Sequence, residues 1–347
     1  MTTEKFLKSQ LDELQKFHPA YGGGLSIHLP MALTALYRLG ADAQRLADFF
    51  ETGKSHLKPF PKANELFNFQ TAKDHLGMEK YYLEYREFFK ASISEEGHPA
   101  VLKKWLPILA PGITAHAFHS LIRLAYAIDI QHLEDIASSI AYWADMYKAL
   151  GEGISNAIPE KNLGTFLNQI QSAPEFDVSQ LPDALIHIKM AEVAKRPLFK
   201  KVLGALKVET GTLGTLADIA SRWYLCTGDF TALHGVTSCH ALSLLLPFTG
   251  DQEQLIRYYW QAFCAAYLTV PTRTLYQETN KFNEYGILPS WEVIRSEALL
   301  KRDEHDIKLV YSCWVEKDRY PSLIYQKMAS DRLGLTVGFW EKTTAKC

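Results

Sequence analysis

The stretch LEDIASSIAYWADMY, residues 133–147, decides the fold. Leu133, Ile136, Ile140, Trp143 and Tyr147 recur three and four residues apart, the spacing of one helix face. The pattern stops at Gly151, where a helix is expected to end. The same period continues outward in both directions. Towards the N-terminus, Val101, Leu102, Trp105 and Leu109 form a stripe closed by Pro111-Gly112, and Tyr81, Tyr82, Tyr85, Phe88 and Phe89 form an aromatic one. Residues 31–39 and 44–50 read as two short helices broken at Gly40. Towards the C-terminus, helical patterns cover roughly 212–226, 237–246, 251–269, 290–300, 303–317 and 321–330. Strand alternation of any length is absent, as is an Asn-Gly or Asp-Gly hairpin signal. The expectation is an all-α protein: one large multi-helix domain over residues 1–347, around a buried histidine-rich cavity. The Pro-containing stretch 151–184 is read as a loose connection within it.

Composition narrows the function classes. Of 347 residues, 47% are hydrophobic and 22% charged, which excludes a disordered chain. A net charge of −2 supplies no basic field for phosphates, so a nucleic-acid partner is not expected. Cys226, Cys239, Cys264, Cys313 and Cys347 are odd in number and lack any Cys-x-x-Cys, against a disulfide framework or a zinc knot. MTTEKFLKSQLDELQKF at the start mixes charged and apolar residues without a signal peptide's apolar core, so reducing cytoplasm is the expected compartment. The longest uncharged runs, Phe17–Tyr37, Trp105–Ile122 and Phe230–Gly250, are long enough to span a bilayer. Each carries Pro, Gly, hydroxyls and at least two histidines, so they read as buried segments of a soluble protein and no membrane is expected.

Six of the 12 histidines lie inside those runs: His18, His28, His116, His119, His234 and His240. An imidazole buried without a partner costs on the order of 1–3 kcal/mol. Each therefore bonds another imidazole, the backbone or a metal. In ITAHAFHSLIRLAYAI (113–128), His116, His119, Arg123 and Tyr126 share a narrow arc at helical spacing, so they read as an active-site wall or a buried polar network. In LHGVTSCHALSLL (233–245), Gly235 suggests a turn, with His234 on the loop before the helix and His240 in its first turn. On one continuous helix, those two would face different sides. In RDEHDIKLVYSCW (302–314), His305 and Lys308 project from one face, and the neighbouring acids suit a helix N-terminus. His28 precedes a helix starting at Pro30.

Common cofactor and nucleophile motifs are missing. Gly22-Gly23-Gly24 is followed by Leu25-Ser26, so it is no phosphate loop. Neither a strand-borne Gly-x-Gly-x-x-Gly, nor a Gly-x-Ser-x-Gly, nor a His-Glu-x-x-His occurs.

The histidine blocks carry a family resemblance. HLPMALTALYRLGA (28–41) resembles His-x-Pro-x-x-Leu-x-Ala-Leu-Tyr-x-Leu-Gly-Ala of the questin oxidase-like family, and HSLIRLAYAIDI (119–130) is similar to its His-Pro-Leu-Ile-His-Leu-Gly-Tyr-Gly. HGVTSCHAL (234–242) and DEHDIKLVYSC (303–313) resemble His-Pro-Val-Thr-Ser-x-His-Ala-Leu and Asp-x-His-x-x-Lys-Leu-Val. That resemblance implies an all-helical oxidase of anthraquinone-type polyketides. Some members are described as NADPH-linked Baeyer–Villiger-type oxidases. A ring-cleaving branch looks like non-haem iron enzymes with several histidine ligands and a modified lysine. By matching position it implies metal ligands at His28, His119, His234, His305 and Lys308, with His240 in reserve; Lys308 is expected as a carbamylated lysine or, failing that, a charged neighbour. The chain departs from the pattern at Arg123, which replaces a second histidine, at Gly235, which replaces Pro, and at Met31-Ala32, which replace a histidine pair.

The leading expectation is thus an Fe(II)-dependent oxygenase acting with O₂ on an aromatic or polyketide-like small molecule. Arg123, Tyr126 and His116 would then be its catalytic or substrate-facing groups. Two alternatives stay open. One is metal-free oxidation with NADPH, perhaps with a flavin; the other is a non-catalytic helical protein that binds a hydrophobic ligand, its histidines merely hydrogen-bonded.

Overall fold

Asp42 and Ser290 show how helices begin in this chain: each side chain accepts the backbone N–H three residues on, satisfying one of the donors a helix start leaves open. The computed structural model describes residues 2–21, 24–55, 57, 66–153, 158–271 and 285–336. Among them the chain is all-α. The only strands there, Ala20–Tyr21 and Leu25–Ser26, form a two-residue antiparallel pair with Ala20 opposite Ser26.

In chain order the helices are α1 (Thr3–Leu14), α2 (Leu29–Leu39), α3 (Ala43–Lys54), α4 (Phe69–Asp74), α5 (Tyr82–Glu96), α6 (His98–Leu109), α7 (His119–Asp129) and α8 (Leu133–Asp145). They continue with α9 (Leu163–Gln171), α10 (Ile186–Ala194), α11 (Val202–Ala205), α12 (Thr212–Thr227), α13 (Phe230–Leu245) and α14 (Gln252–Tyr267). The last three are α15 (Trp291–Leu300), α16 (Glu304–Arg319) and α17 (Leu323–Arg332).

Packing gathers the chain into two compact units. Unit one comprises Met1–Ala149 and Ala241–Tyr258, and unit two Leu150–His240 and Tyr259–Cys347. In unit one, α8 lies against α5 and α7, and α2 lies against α7. Ile136, Ile140 and Trp143, which announced the helix in the sequence, are fully buried. In unit two, α16 packs on α17 and α15, and α17 on α12.

Several boundaries fall where the sequence puts them. Gly40 ends α2 in the left-handed region, at φ 105°, a conformation open to glycine at little cost. Two expectations are corrected. Residues 233–245 were expected to turn at Gly235, yet α13 runs unbroken from Phe230 to Leu245. Glycine is there for packing, because a Cβ would stand 2.9 Å from the Trp223 ring and 3.2 Å from that of Phe263. The polar stripe expected to start at His116 begins at His119 instead. His116, Ala117 and Phe118 have φ of 47°, 55° and 69°, outside any right-handed helix.

Within 151–184 the chain forms α9 and two short 3₁₀ turns. Cys226, Cys239, Cys264 and Cys313 are free thiols, while Cys347 lies outside the described residues, as do Gly22 and Gly23. Among the described residues, no helix is long and apolar enough to cross a membrane.

Candidate functional site

Unit one brings His28 and His119 together. Their Nε2 atoms stand 2.7 Å apart, and the rings lie nearly parallel, with centroids 4.6 Å apart. His28 sits just before α2, its backbone carbonyl taking the first helical bond from Ala32. His119 opens α7 directly after the left-handed turn. Left-handed backbone costs a non-glycine residue roughly 1–2 kcal/mol, and three occur here in a row. Complete burial of the Phe118 side chain, worth about 2–3 kcal/mol, offsets part of that cost. The turn brings the His116 carbonyl onto His119 Nδ1, which donates to it in a short hydrogen bond. With its proton held on Nδ1, His119 has a lone pair at Nε2, facing His28. Backbone strain of this kind gathers at functional sites.

The other residues of that stretch serve different ends. Arg123 is buried, and its Nε and Nη2 both donate to Asp135 Oδ1, at 3.1 and 2.6 Å. Gln15 donates to the same oxygen at 3.2 Å. This guanidinium is therefore engaged in a buried ion network between α7 and α8. Tyr126 is buried on α7. The His116 ring meets Tyr142 edge-on at 5.6 Å, and the Tyr142 hydroxyl pairs with Ser26 at 2.5 Å.

Unit two brings together His234 on α13 and His305 and Lys308 on α16. The two imidazole centroids are 5.5 Å apart. His234 Nδ1 donates to the Phe230 carbonyl one turn back, at 2.8 Å. His305 Nδ1 donates to Asp303 Oδ1 at 3.0 Å, and the same oxygen accepts the His305 backbone N–H at 2.8 Å. One carboxylate thus caps α16 and orients the ring. Its pKa is pushed down, chiefly by that side-chain bond to His305.

The electrostatics agree with the tautomers. Burial, with the charges of His305 and Lys308 next in order, pushes His234 down to about 3. Burial and Lys308 push His305 down to about 4, against the pull of Asp303. Both rings are neutral near pH 7, with lone pairs at Nε2. Lys308 is buried, and desolvation lowers it to about 8 although Glu304 and Asp303 favour its charge.

His240 does not join this group. Six residues beyond His234 on one continuous helix, it faces the other way, and its Nδ1 meets Glu316 Oε1 at 2.7 Å. Glu316 also accepts from Arg319 at 2.8 Å. The adjoining cavity, about 10 Å³, is lined by His240, Cys239, Glu316 and Tyr325 and has room for no more than one water.

Residues 26–313 match the profile of the questin oxidase-like family. The chain belongs to that family. Comparison with curated proteins finds no match. The matched region contains both histidine pairs and Lys308, and the questin oxidase-like description points to oxidoreductase chemistry on polyketide-like substrates.

Whether these questin oxidase-like side chains suit a metal is decided by their donor chemistry. A metal-bound imidazole usually donates its second N–H to a carbonyl or carboxylate, which fixes the tautomer. His119, His234 and His305 all do so before any metal binds. Lys308 adds a nitrogen only when it loses its proton, since an ammonium has no lone pair. Two imidazoles on one tetrahedral metal hold their nitrogens about 3.4 Å apart. The His28–His119 contact is shorter, a shared-proton distance that would have to open. Among the described residues, no group of three or more His, Cys, Asp or Glu is arranged to hold a metal ion. The Nδ1-anchored tautomers of His119, His234 and His305 suit a transition metal; unit one holds one imidazole pair and unit two holds another beside Lys308.

Sequence reasoning passed over three contributors. Asp303 was read only as a helix-start acid. The backbone carbonyls of His116 and Phe230 carry no side-chain signal at all.

Proposed function

We propose that the protein is a non-haem oxygenase, dependent on Fe(II), that acts with O₂ on an aromatic, polyketide-like small molecule. One observation carries the reading. In a family of oxidases, three histidines have Nδ1 tied to oxygen, and the two in unit two are held neutral by burial. Fixing Nδ1 as the donor leaves Nε2 as the acceptor of each ring, the arrangement a metal-bound imidazole requires.

In this reading His234 and His305 would hold the metal through Nε2 in unit two, and the His28–His119 pair of unit one would be a second candidate once its shared proton is lost. The His116 and Phe230 carbonyls and Asp303 keep the rings from rotating, and so from presenting an N–H where a lone pair is needed. Bound iron supplies O₂ activation, chemistry beyond these side chains alone. At neutral pH His234 and His305 carry no proton at Nε2 to give away. Lys308 Nζ, lowered to about 8, is the group there that gains or loses one near neutrality. In its neutral form it can add CO₂: the nitrogen lone pair bonds to carbon and one N–H proton leaves to solvent, giving a carbamate whose oxygen would be available to a bound metal.

Oxygen uptake tests the proposal. Protein reconstituted anaerobically with Fe(II) and given a hydroxyanthraquinone should consume O₂ without NADPH, and metal-stripped protein should not. Uptake that requires NADPH and ignores iron would replace this reading with metal-free oxidation. Absence of uptake under both conditions would leave a ligand-binding protein.

A further inference from the structure

We propose that Phe230 is a stacking platform for the planar substrate, an assignment that rests on the reading of the protein as an oxygenase of aromatic polyketides. Phe230 is the first residue of α13, and its ring meets both unit-two imidazoles edge to face. Its centroid is 4.7 Å from that of His234, at 69°, and 4.6 Å from that of His305, at 64°. His234 is 1% exposed, whereas Phe230 is 47% exposed. A phenyl ring so placed forgoes about half of the stabilisation that full burial would give. The large aromatics of α12 in the same unit, Trp223 and Tyr224, are fully buried.

Two features separate the ring from the scaffold. The contact that fixes the His234 tautomer comes from the Phe230 backbone carbonyl, which any residue supplies. The helix start is set by Asp229, whose Oδ1 accepts from Thr231 and Ala232 at 2.6 and 3.4 Å. The side chain is therefore dispensable for holding the helix start or the imidazole tautomer. What it adds is an exposed aromatic surface one ring's width from two metal-competent nitrogens. The electron-rich face of a phenyl ring stacks, offset, on an electron-poor ring such as a quinone. That chemistry selects a flat, fused-ring quinone or its phenolic relative over an aliphatic chain.

The test is binding without turnover. The full chain is titrated anaerobically with 1,8-dihydroxyanthraquinone, followed by absorbance, as wild type and as Phe230→Ala, Phe230→Leu and Phe230→Trp. The alanine and leucine variants should bind roughly 3- to 10-fold more weakly, and the tryptophan variant at least as tightly as wild type. The Fe(II) affinity should be the same across the set, and the urea midpoint of the alanine variant should fall only by what a half-buried phenyl contributes. Equal binding by wild type and the leucine variant overturns the platform, since hydrophobicity alone would then suffice. A shift in Fe(II) affinity in the alanine variant overturns it too, by making the ring part of the scaffold that holds the imidazoles. So does failure of the wild type to bind the quinone. Because no turnover is involved, absence of O₂ uptake would remove the oxygenase reading and leave this result standing.

Discussion

His119 of unit one and the two unit-two imidazoles reach the same tautomer by different local means. In unit one, His119 is anchored by a backbone carbonyl delivered through three consecutive left-handed residues, 116–118. In unit two, His234 uses the carbonyl one turn behind it on a regular helix, and His305 uses the carboxylate that caps its own helix. A strained turn and two ordinary helix contacts thus produce the same result, a ring whose proton is held on Nδ1 and whose Nε2 is the acceptor. The difference is energetic: unit one stores strain, whereas unit two costs desolvation.

The largest effects should come from removing a ring. His119→Ala and His305→Ala are each expected to lower Fe(II)-dependent O₂ uptake by roughly 100-fold or more, beyond the 10- to 100-fold typical of an orienting partner. Asp303→Asn keeps an acceptor for the α16 cap but weakens the anchor of His305, so Fe(II) affinity should fall about 10-fold. No side-chain substitution can do the same to His119, whose anchor is backbone. If Asp303→Asn left Fe(II) affinity unchanged, the unit-two anchor would have no role.

Acid should then separate desolvation from strain. His234 and His305 have folded pKa values pushed below the ordinary 6.5, to about 3 and about 4. Below pH 6.5 the unfolded chain binds protons that the folded chain refuses, so stability falls as pH falls, down to about 4. At pH 5 each ring contributes about 2 kcal/mol of that loss. Urea unfolding of metal-free protein at pH 5 and pH 7 measures it, and His234→Gln should remove about half of the difference between the two.

Asp145 of unit one works with the opposite sign. Burial raises its carboxyl to about 6, with Glu79 and Glu84 adding to the rise, and Oδ1 accepts the Tyr81 backbone N–H at 2.8 Å. Its burial penalty is absent below about pH 4 and complete above about 6. Asp145→Asn keeps an acceptor and removes the charge, so it should stabilise by about 1 kcal/mol at pH 8 and not at pH 4, after allowance for the new amide N–H groups. A stabilisation independent of pH would show that the charge is not the cause.

The smallest effect belongs to the strained turn. Ala117→Gly should stabilise by up to about 1 kcal/mol, because glycine adopts positive φ freely and the native cost of the turn falls by more than the unfolded chain's added freedom. The urea midpoint reads this. Destabilisation by glycine would mean that the turn is not strained at this residue.

Much of the fold was legible because helical burial follows a 3.6-residue period. Ile136, Ile140 and Trp143 gave both the existence of α8 and its buried face, and Gly40 gave the end of α2. The candidate site was legible as residue types in unusual places: histidines in uncharged runs, and a lysine one turn after His305. What stayed hidden was backbone. HAFHS has no glycine to mark a left-handed turn, since burial of Phe118, a tertiary effect, holds it there. Gly235 misled for the converse reason, being required by the rings of Trp223 and Phe263 rather than by a turn. Phe230 entered the sequence reading only as the first residue of an uncharged run; its exposure beside two imidazoles is what sets it apart.

The central claim is that His119, His234 and His305 are protonated at Nδ1, with Nε2 kept for a metal, and that the two unit-two rings are neutral. Imidazole ¹⁵N chemical shifts of the metal-free protein at pH 6.5 test it directly, with each ring assigned by its alanine or glutamine variant. The account predicts three Nδ1–H tautomers, each with an unprotonated Nε2 that shifts on anaerobic addition of Zn²⁺. Protonation at Nε2, or charged imidazolium at either of the unit-two rings, would contradict it.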